Sequence, residues 1–247
     1  MSTIVLVDGD ILAYTACSSN EISTHWGDGL WTLHVNEDDV KRDILWTLDD
    51  VKRNLSVDEF VICLTDKDNF RKDVLPSYKS NRKETRKPMC LPAIREWLVE
   101  EHGAIIWPKL EADDVLGILA TQPKREATDN VIVFSRDKDL KSIPCQYTKD
   151  GVEVETITKQ EADYNFLKQS LMGDMTDGYT GIKGVGEVKA KKILGDVSDF
   201  TLEEGISKVK EAYTKAGYDE HDMLQQINVA RILRHGDYKE GEIKLWQ

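Results

Sequence analysis

The sequence predicts an α/β protein on a parallel sheet, and three short apolar runs with acids behind them carry that prediction. Ile4-Val5-Leu6-Val7 is followed by Asp8 and Asp10, Phe60-Val61-Ile62-Cys63-Leu64 by Asp66 and Asp68, and Val131-Ile132-Val133-Phe134 by Asp137 and Asp139. Continuous apolar runs of this length fit strands buried on both faces. Helix-like stretches at about 38–54, 92–101 and 111–121 lie between them, the alternation of a sheet covered by helices. Sites in such sheets form at the carboxyl ends of the strands, where these acids fall.

After the first strand, Asp10 reads as a supporting acid or as the N-cap of the helix that follows. From Phe70 to Arg95 the chain turns basic, with Arg71, Lys72, Lys79, Arg82, Lys83, Arg86, Lys87 and Arg95 against Asp73 and Glu84. Pro76, Pro88 and Pro92 break it into short pieces, so a mobile loop or helical arch is expected at about 67–101 rather than core. Glu111-Ala112-Asp113-Asp114 opens an apolar helix running from Val115 to Ala120. Positions 111 and 114 then share a face, with 113 displaced around the turn. Beyond about residue 158 the pattern is helical, punctuated by Gly181-Ile182-Lys183-Gly184-Val185-Gly186. The expected division is a catalytic α/β domain at 1–157 and a helical region at 158–247.

The 247 residues, 40% hydrophobic, suffice for one large domain with an appendage. A net charge of −12 argues against a general nucleic-acid binder, although the total averages an acidic centre with local basic surface. Cys17, Cys63, Cys90 and Cys145 form no CxxC pair, which suggests neither a zinc ribbon nor a disulfide framework and fits reduced core residues. No segment approaches the length of a membrane span, so a cytoplasmic protein is expected, without a membrane or an obligate protein partner.

The acids Asp8, Asp66, Glu111, Asp113, Asp114, Asp137, Asp139, Asp174 and Asp177 are the candidate metal ligands. All-oxygen donors without His or Cys suit Mg2+, with Mn2+ as a substitute, better than zinc. Taken singly, each acid also fits helix capping or a strand end. Two ions roughly 4 Å apart can clamp a phosphodiester, and Arg71, Lys79 and Arg82 supply nearby positive charge. Tyr78 fits stacking on an unpaired base and core packing equally well. The glycine hairpin with Lys189, Lys191 and Lys192 suits backbone contact with phosphate.

Asp8-Gly9, Phe70-Arg71 with Tyr78-Lys79 and Arg82, Glu111-Ala112-Asp113-Asp114, Asp137-Lys138-Asp139, and Gly173-Asp174-Met175-Thr176-Asp177 with the glycine hairpin occur in series. In that order they resemble the flap endonuclease and 5′ nuclease superfamily, and within it the 5′ exonucleases of T7-like bacteriophages, over roughly residues 4–195 and again at Ala230-Arg231-Ile232-Leu233-Arg234. The resemblance implies a three-layer α/β/α, PIN-like (Rossmann-like) fold with a basic arch and a helix-hairpin-helix at about 170–195. It implies Asp8, Asp66, Glu111 and Asp113 as ligands of one Mg2+, and Asp114, Asp137, Asp139, Asp174 and Asp177 as ligands or supports of a second. Arg71 and Lys79 would contact the scissile phosphate, with Tyr78, Arg82 and Lys83 beside the DNA. Gly184, Gly186, Lys183, Lys189 and Lys192 would grip duplex DNA, with K+ at the hairpin.

The implied activity is 5′ to 3′ hydrolysis of DNA at ends, nicks or flaps, and of RNA primers in RNA-DNA hybrids, during phage replication in the host cytoplasm. Two departures stand out: Thr15 replaces an arginine usual in the first helix, and the short loop after Asp66 leaves Asp66 and Asp68 in competition. The short arch favours exonuclease action over flap threading. Rival readings are an RNA-cleaving PIN-type nuclease, against which the glycine hairpin argues, and a catalytically silent DNA-end-binding protein. The crowded acids argue against the second, because like charges are costly unless metals neutralise them.

Overall fold

The computed structural model of the chain describes residues 2–123 and 130–247, with Lys83 and Glu84 by their backbone only. In chain order the elements are β1 (Thr3–Asp8), α1 (Gly9–Asn20), a hairpin of β2 (Ile22–His25) and β3 (Trp31–His34), α2 (Glu37–Leu55), β4 (Glu59–Leu64), α3 (Arg71–Val74), α4 (Leu91–His102), β5 (Ile105–Ile106) and α5 (Ala112–Ala120). Then come β6 (Asn130–Phe134), β7 (Cys145–Thr148), β8 (Glu155–Ile157), α6 (Lys159–Met172), α7 (Glu187–Leu194), α8 (Leu202–Lys215), α9 (Glu220–Ala230) and a last hairpin of β9 (Tyr238–Lys239) and β10 (Glu242–Ile243).

The sheet runs β5-β4-β1-β6-β7-β8. Its first five strands pair in parallel, and β8 joins β7 antiparallel. The three apolar runs are thus the central neighbours β4, β1 and β6, and all three deliver their carboxyl ends to one edge. The antiparallel edge strand was not expected; β8 is three residues long and has a single buried position, Ile157, too little pattern to read.

Alternation along β1 explains the three layers. Val5 and Val7 face a core shared with α1, α2 and α4, whereas Leu6 faces a second core with α5 and β7. A third core joins α6, α7, α8 and α9, opened by a capping box in which Thr158 and Glu161 exchange hydrogen bonds at the start of α6. The chain end then returns to the sheet, because Ile232 and Leu233 pack in the second core beside α5. Among the described residues no helix is long and apolar enough to cross a membrane.

The basic segment departs from expectation. Phe70, Arg71 and Tyr78 are buried, and α4, inside the expected arch limits, is a core helix that buries Ile94 and Leu98 completely. Lys72, Asp73, Pro76 and Ser77 are exposed, and the described residues from Lys79 to Met89 lie mostly at the surface in a stretch pinned at both ends. Asn81 and Arg82 donate to Thr176 O, and Arg82 pairs with Asp177. At the far end, Arg86 and the Met89 N–H reach the Glu21 carboxylate. Prolines broke the helical pattern here without removing apolar anchors, and those anchors decide packing. The segment combines buried anchors with a surface strap that side-chain contacts fasten at both ends.

Candidate active site

Asp8 ends β1 and caps α1 through its Oδ1, which accepts from Ile11 N at 3.1 Å. Its Oδ2 accepts from the buried Ser135 hydroxyl at 2.7 Å. Gly9 lets α1 start hard against β4, for a β-carbon there would lie 2.7 Å from Ile62 Cγ2 and 2.8 Å from Cys63 O. Asp10 is not the cap; its carboxylate takes the Thr65 N–H and Arg95, tying β4 to α1 and α4.

Glu111 caps α5 in a reciprocal box with Asp114. Lys79 sits 2.5 Å from Glu111 Oε1 and 3.5 Å from Asp177 Oδ2, and the Tyr78 hydroxyl lies 2.9 Å from Glu111 Oε2. Burial pushes the Glu111 carboxyl up, but Lys79 and Arg71 outweigh it and hold the group below its ordinary value. Asp113 lies one step around the helix. Burial, then the charges of Asp8, Asp137 and Glu111, push its carboxyl well above the usual range. Asp8 rises to about 6, first through burial and then through Asp137, and Asp139 also rises to about 6 through burial, Asp137 and Asp174. Asp8, Glu111, Asp113, Asp137, Asp139, Asp174 and Asp177 therefore form one interacting set at the carboxyl edge, with Lys79 among them.

Several oxygens of this set have no protein donor among the described residues. Asp113 makes no hydrogen bond or ion pair, Asp137 spends only Oδ1, on Asp139 N, and Asp139 spends Oδ2 on the Gln169 amide. Asp174 spends Oδ1 on Thr176 N and Asp177 N. A crowded, partly desolvated group of all-oxygen donors with spare lone pairs fits a hard divalent cation. Among the described residues, however, no three of these acids converge into a closed cage.

Three expected roles are corrected. Arg71 is buried, and its guanidinium is consumed by Asp114 Oδ2 and Oδ1 at 2.7 and 2.8 Å, Val229 O at 2.9 Å and Arg231 O at 2.7 Å. Four of its five N–H groups are spent, and Nη1 also faces Glu111 Oε2 at 3.4 Å, so the buried guanidinium serves the protein rather than a scissile phosphate. Asp114, fully buried, accepts from Arg71 twice, from Glu111 N and from Leu233 N, which fills a carboxylate's capacity and removes it from the ligand set. Tyr78 packs with Tyr179, Val229 and Ala230, so its ring offers no face to a base. Asp66 accepts from Lys67 N and Lys109 N, both at 2.8 Å, one donor on each oxygen as at Asp8, while Asp68 is exposed.

The remaining basic residues are placed as follows. Arg82 is paired with Asp177, and the Lys83 side chain lies outside the described residues. In the glycine hairpin, Gly181 (φ +55°) is buried against the backbone of Gly173, where a β-carbon would collide with main-chain atoms, so it serves packing. Gly184 (φ +78°) and Gly186 have open space around them. Gly186 precedes α7 with no side-chain cap, leaving the first N–H groups of that helix free for an anion. Lys183 and Lys192 are exposed, and Lys189 donates to Gly184 O at 2.8 Å. Ser135 and Arg95 were missed from sequence. Ser135 carried a signal, as the first polar residue after an apolar strand at the edge that gathers acids.

A parallel sheet that collects carboxylates at its carboxyl edge beside a half-buried lysine defines a phosphodiester-hydrolase class of site. The chain belongs to the 5′-3′ exonuclease family, since residues 3–171 match that family's N-terminal resolvase-like domain. It is 32% identical to an exodeoxyribonuclease of Enterobacteria phage T3, over 98% of this chain and 92% of that one. It is 30% identical to an exonuclease of Escherichia phage T7, over 99% and 93%. The fold is also that of the phage T5 D15 protein co-crystallised with metal ions, at a TM-score of 0.58 and 15% identity, covering 92% of this chain and 88% of that one. The chain is a 5′-3′ exonuclease-type hydrolase, of a family in which metal dependence is general.

Proposed function

We propose that the chain is a Mg2+-dependent 5′ to 3′ exonuclease acting on duplex DNA ends, nicks and flaps and on RNA-DNA hybrids, with Mn2+ able to replace Mg2+. The observation that carries this reading is the interacting set Asp8, Asp113, Asp137 and Asp139, in which Asp8, Asp113 and Asp139 have carboxyls raised by burial and crowding and Asp113, Asp137 and Asp139 have oxygens without protein donors. Asp8, Asp113, Asp137 and Asp139 would hold the divalent ions, which would activate water and stabilise the leaving oxygen. Ser135 and Ile11 N hold the Asp8 carboxylate in place, Glu111 holds Lys79, and Lys79 brings positive charge to where phosphate charge develops.

In this reading the chemistry belongs mainly to 1–157, joined by Asp174 and Asp177, and duplex grip to 158–247, where Gly184, Gly186, Lys183, Lys189 and Lys192 meet backbone phosphates and K+ completes the hairpin. End-labelled duplex tests the reading. Label at the 5′ end should be released first as small products with Mg2+ and retained with a chelator; initial release of 3′ label would overturn it.

Metal affinity should rise with pH, because carboxyls at about 6 for Asp8 and Asp139 must ionise before they ligate. Below pH 6 each displaced proton costs about tenfold in affinity per pH unit, and above about 7 the curve should level. Mn2+ titrations from pH 5 to 8 read this slope, and a flat profile would exclude both groups.

Lys79→Ala should slow single-turnover cleavage at saturating DNA by on the order of 10²-fold, the scale of losing one preorganised donor, while binding weakens far less. Restoration of the normal rate by more DNA would reduce Lys79 to ground-state binding. Replacing exposed Lys183 or Lys192 should flatten the slope of log affinity against log salt by up to about one unit for every sequence alike. Sequence-selective loss with an unchanged slope would give the hairpin another task.

A further inference from the structure

A small cavity opens beside Asp8 on the side of the sheet covered by α1 and α2. Its volume is about 50 Å³, with Thr15, Thr47 and Arg136 at its rim and Leu12, Ala16 and Phe134 on its floor. The floor is apolar and buried, so the pocket ends in the core. That volume holds about four water positions, enough for a phosphate group and too little for a nucleobase.

Arg136 sets this pocket apart. It lies between Ser135, which holds Asp8, and Asp137, and its side chain is exposed. Every other described arginine pairs with an Asp or Glu. Of the described arginines, Arg136 alone has no carboxylate partner and no hydrogen bond, although Asp8 lines the same cavity. The Thr15 hydroxyl is likewise without a protein partner, whereas Thr47 donates to Asp43 O at 2.9 Å and has only its lone pairs to offer.

We propose that Arg136 and the Thr15 hydroxyl bind the terminal 5′-phosphate of the strand being degraded. A guanidinium is built for two-point contact with phosphate oxygens, and a hydroxyl adds a third donor. A blind pocket selects a chain end, because a phosphodiester inside a strand continues on both sides and needs an open groove. Asp8 and Asp137 beside the pocket repel an anion unless cations neutralise them, so this assignment rests on the metal-dependent 5′-end reading above. It gives the enzyme a way to recognise an end as well as to cut beside it.

Two duplexes identical except for a 5′-phosphate or a 5′-hydroxyl test it, by equilibrium binding with Ca2+ in place of Mg2+ under conditions without turnover. The wild-type protein should bind the phosphorylated end more tightly by on the order of tenfold, the worth of one charge-assisted pairing. Arg136→Ala should bring the two ends to within about twofold, and Arg136→Lys should keep part of the preference, because a point charge retains attraction without the fork. Equal affinity of the wild type for both ends, or a preference that survives Arg136→Ala, would overturn the assignment. Failure of the 5′ to 3′ reading itself would register separately, as release of 3′ label whatever the ratio of affinities.

Discussion

Asp8→Asn is expected to lose cleavage by on the order of 10³-fold or more while duplex affinity stays within a few-fold, because a site that positions metals differs from the surfaces that grip DNA. The same substitution should stabilise the metal-free protein. The Asp8 carboxyl sits at about 6 in the fold against an ordinary 3.8, so its ionised form is disfavoured by the folded state. Stability from this group is full below pH 4 and is lost as pH rises towards 6. At pH 7.5 removing the charge should recover on the order of 1–3 kcal/mol, and the gain should vanish near pH 4. Urea unfolding of both proteins at the two pH values measures it. Glu111→Ala should also abolish cleavage, but without that gain, since Glu111 answers Lys79 and Arg71 and its charge is stabilised. Retained turnover in either variant would remove the metal assignment.

Arg71→Ala is expected to destabilise the protein by about 3–5 kcal/mol, the cost of removing one partner of a buried ion pair. Asp114 would keep a fully buried charge, and the carbonyls of Val229 and Arg231 would lose their donor. Three segments meet at this guanidinium: the start of the strap, the first turn of α5 and the returning chain end. Loss of activity should therefore follow loss of fold, and the urea midpoint should fall together with the rate. Unchanged stability with slow cleavage would return Arg71 to the scissile phosphate, against its burial.

Much of the frame was legible in the sequence because the signals were local. Strands β1, β4 and β6 are continuous apolar runs, and α2, α4 and α5 lie within a residue or two of their expected limits. The position of the acids at the carboxyl edge followed from those strands alone. What failed was the partner of each charge, which depends on contacts across long stretches of sequence. Arg71 reads as a surface cation in a basic run, yet its partners lie 43, 158 and 160 residues away. Asp114 differs from Asp113 by one position, but that step turns it inward beneath α5, where Arg71 and Leu233 N saturate it. Tyr78 left packing and stacking equally open, and burial against Tyr179 and Val229 decides for packing. Arg136 went unnoticed for the opposite reason: it is distinguished by the absence of a partner, which no local pattern reveals.

The central claim is that the acids at the carboxyl edge hold divalent cations, and counting bound Mn2+ by electron paramagnetic resonance tests it most directly. Metal-free wild-type protein at pH 7.5 should bind two Mn2+ ions, displaced by excess Mg2+, and Asp113→Asn should lose at least one of them without any fall in its thermal unfolding midpoint. Wild-type protein that binds no Mn2+ under these conditions, or an Asp113→Asn variant that binds the full complement, would contradict the account.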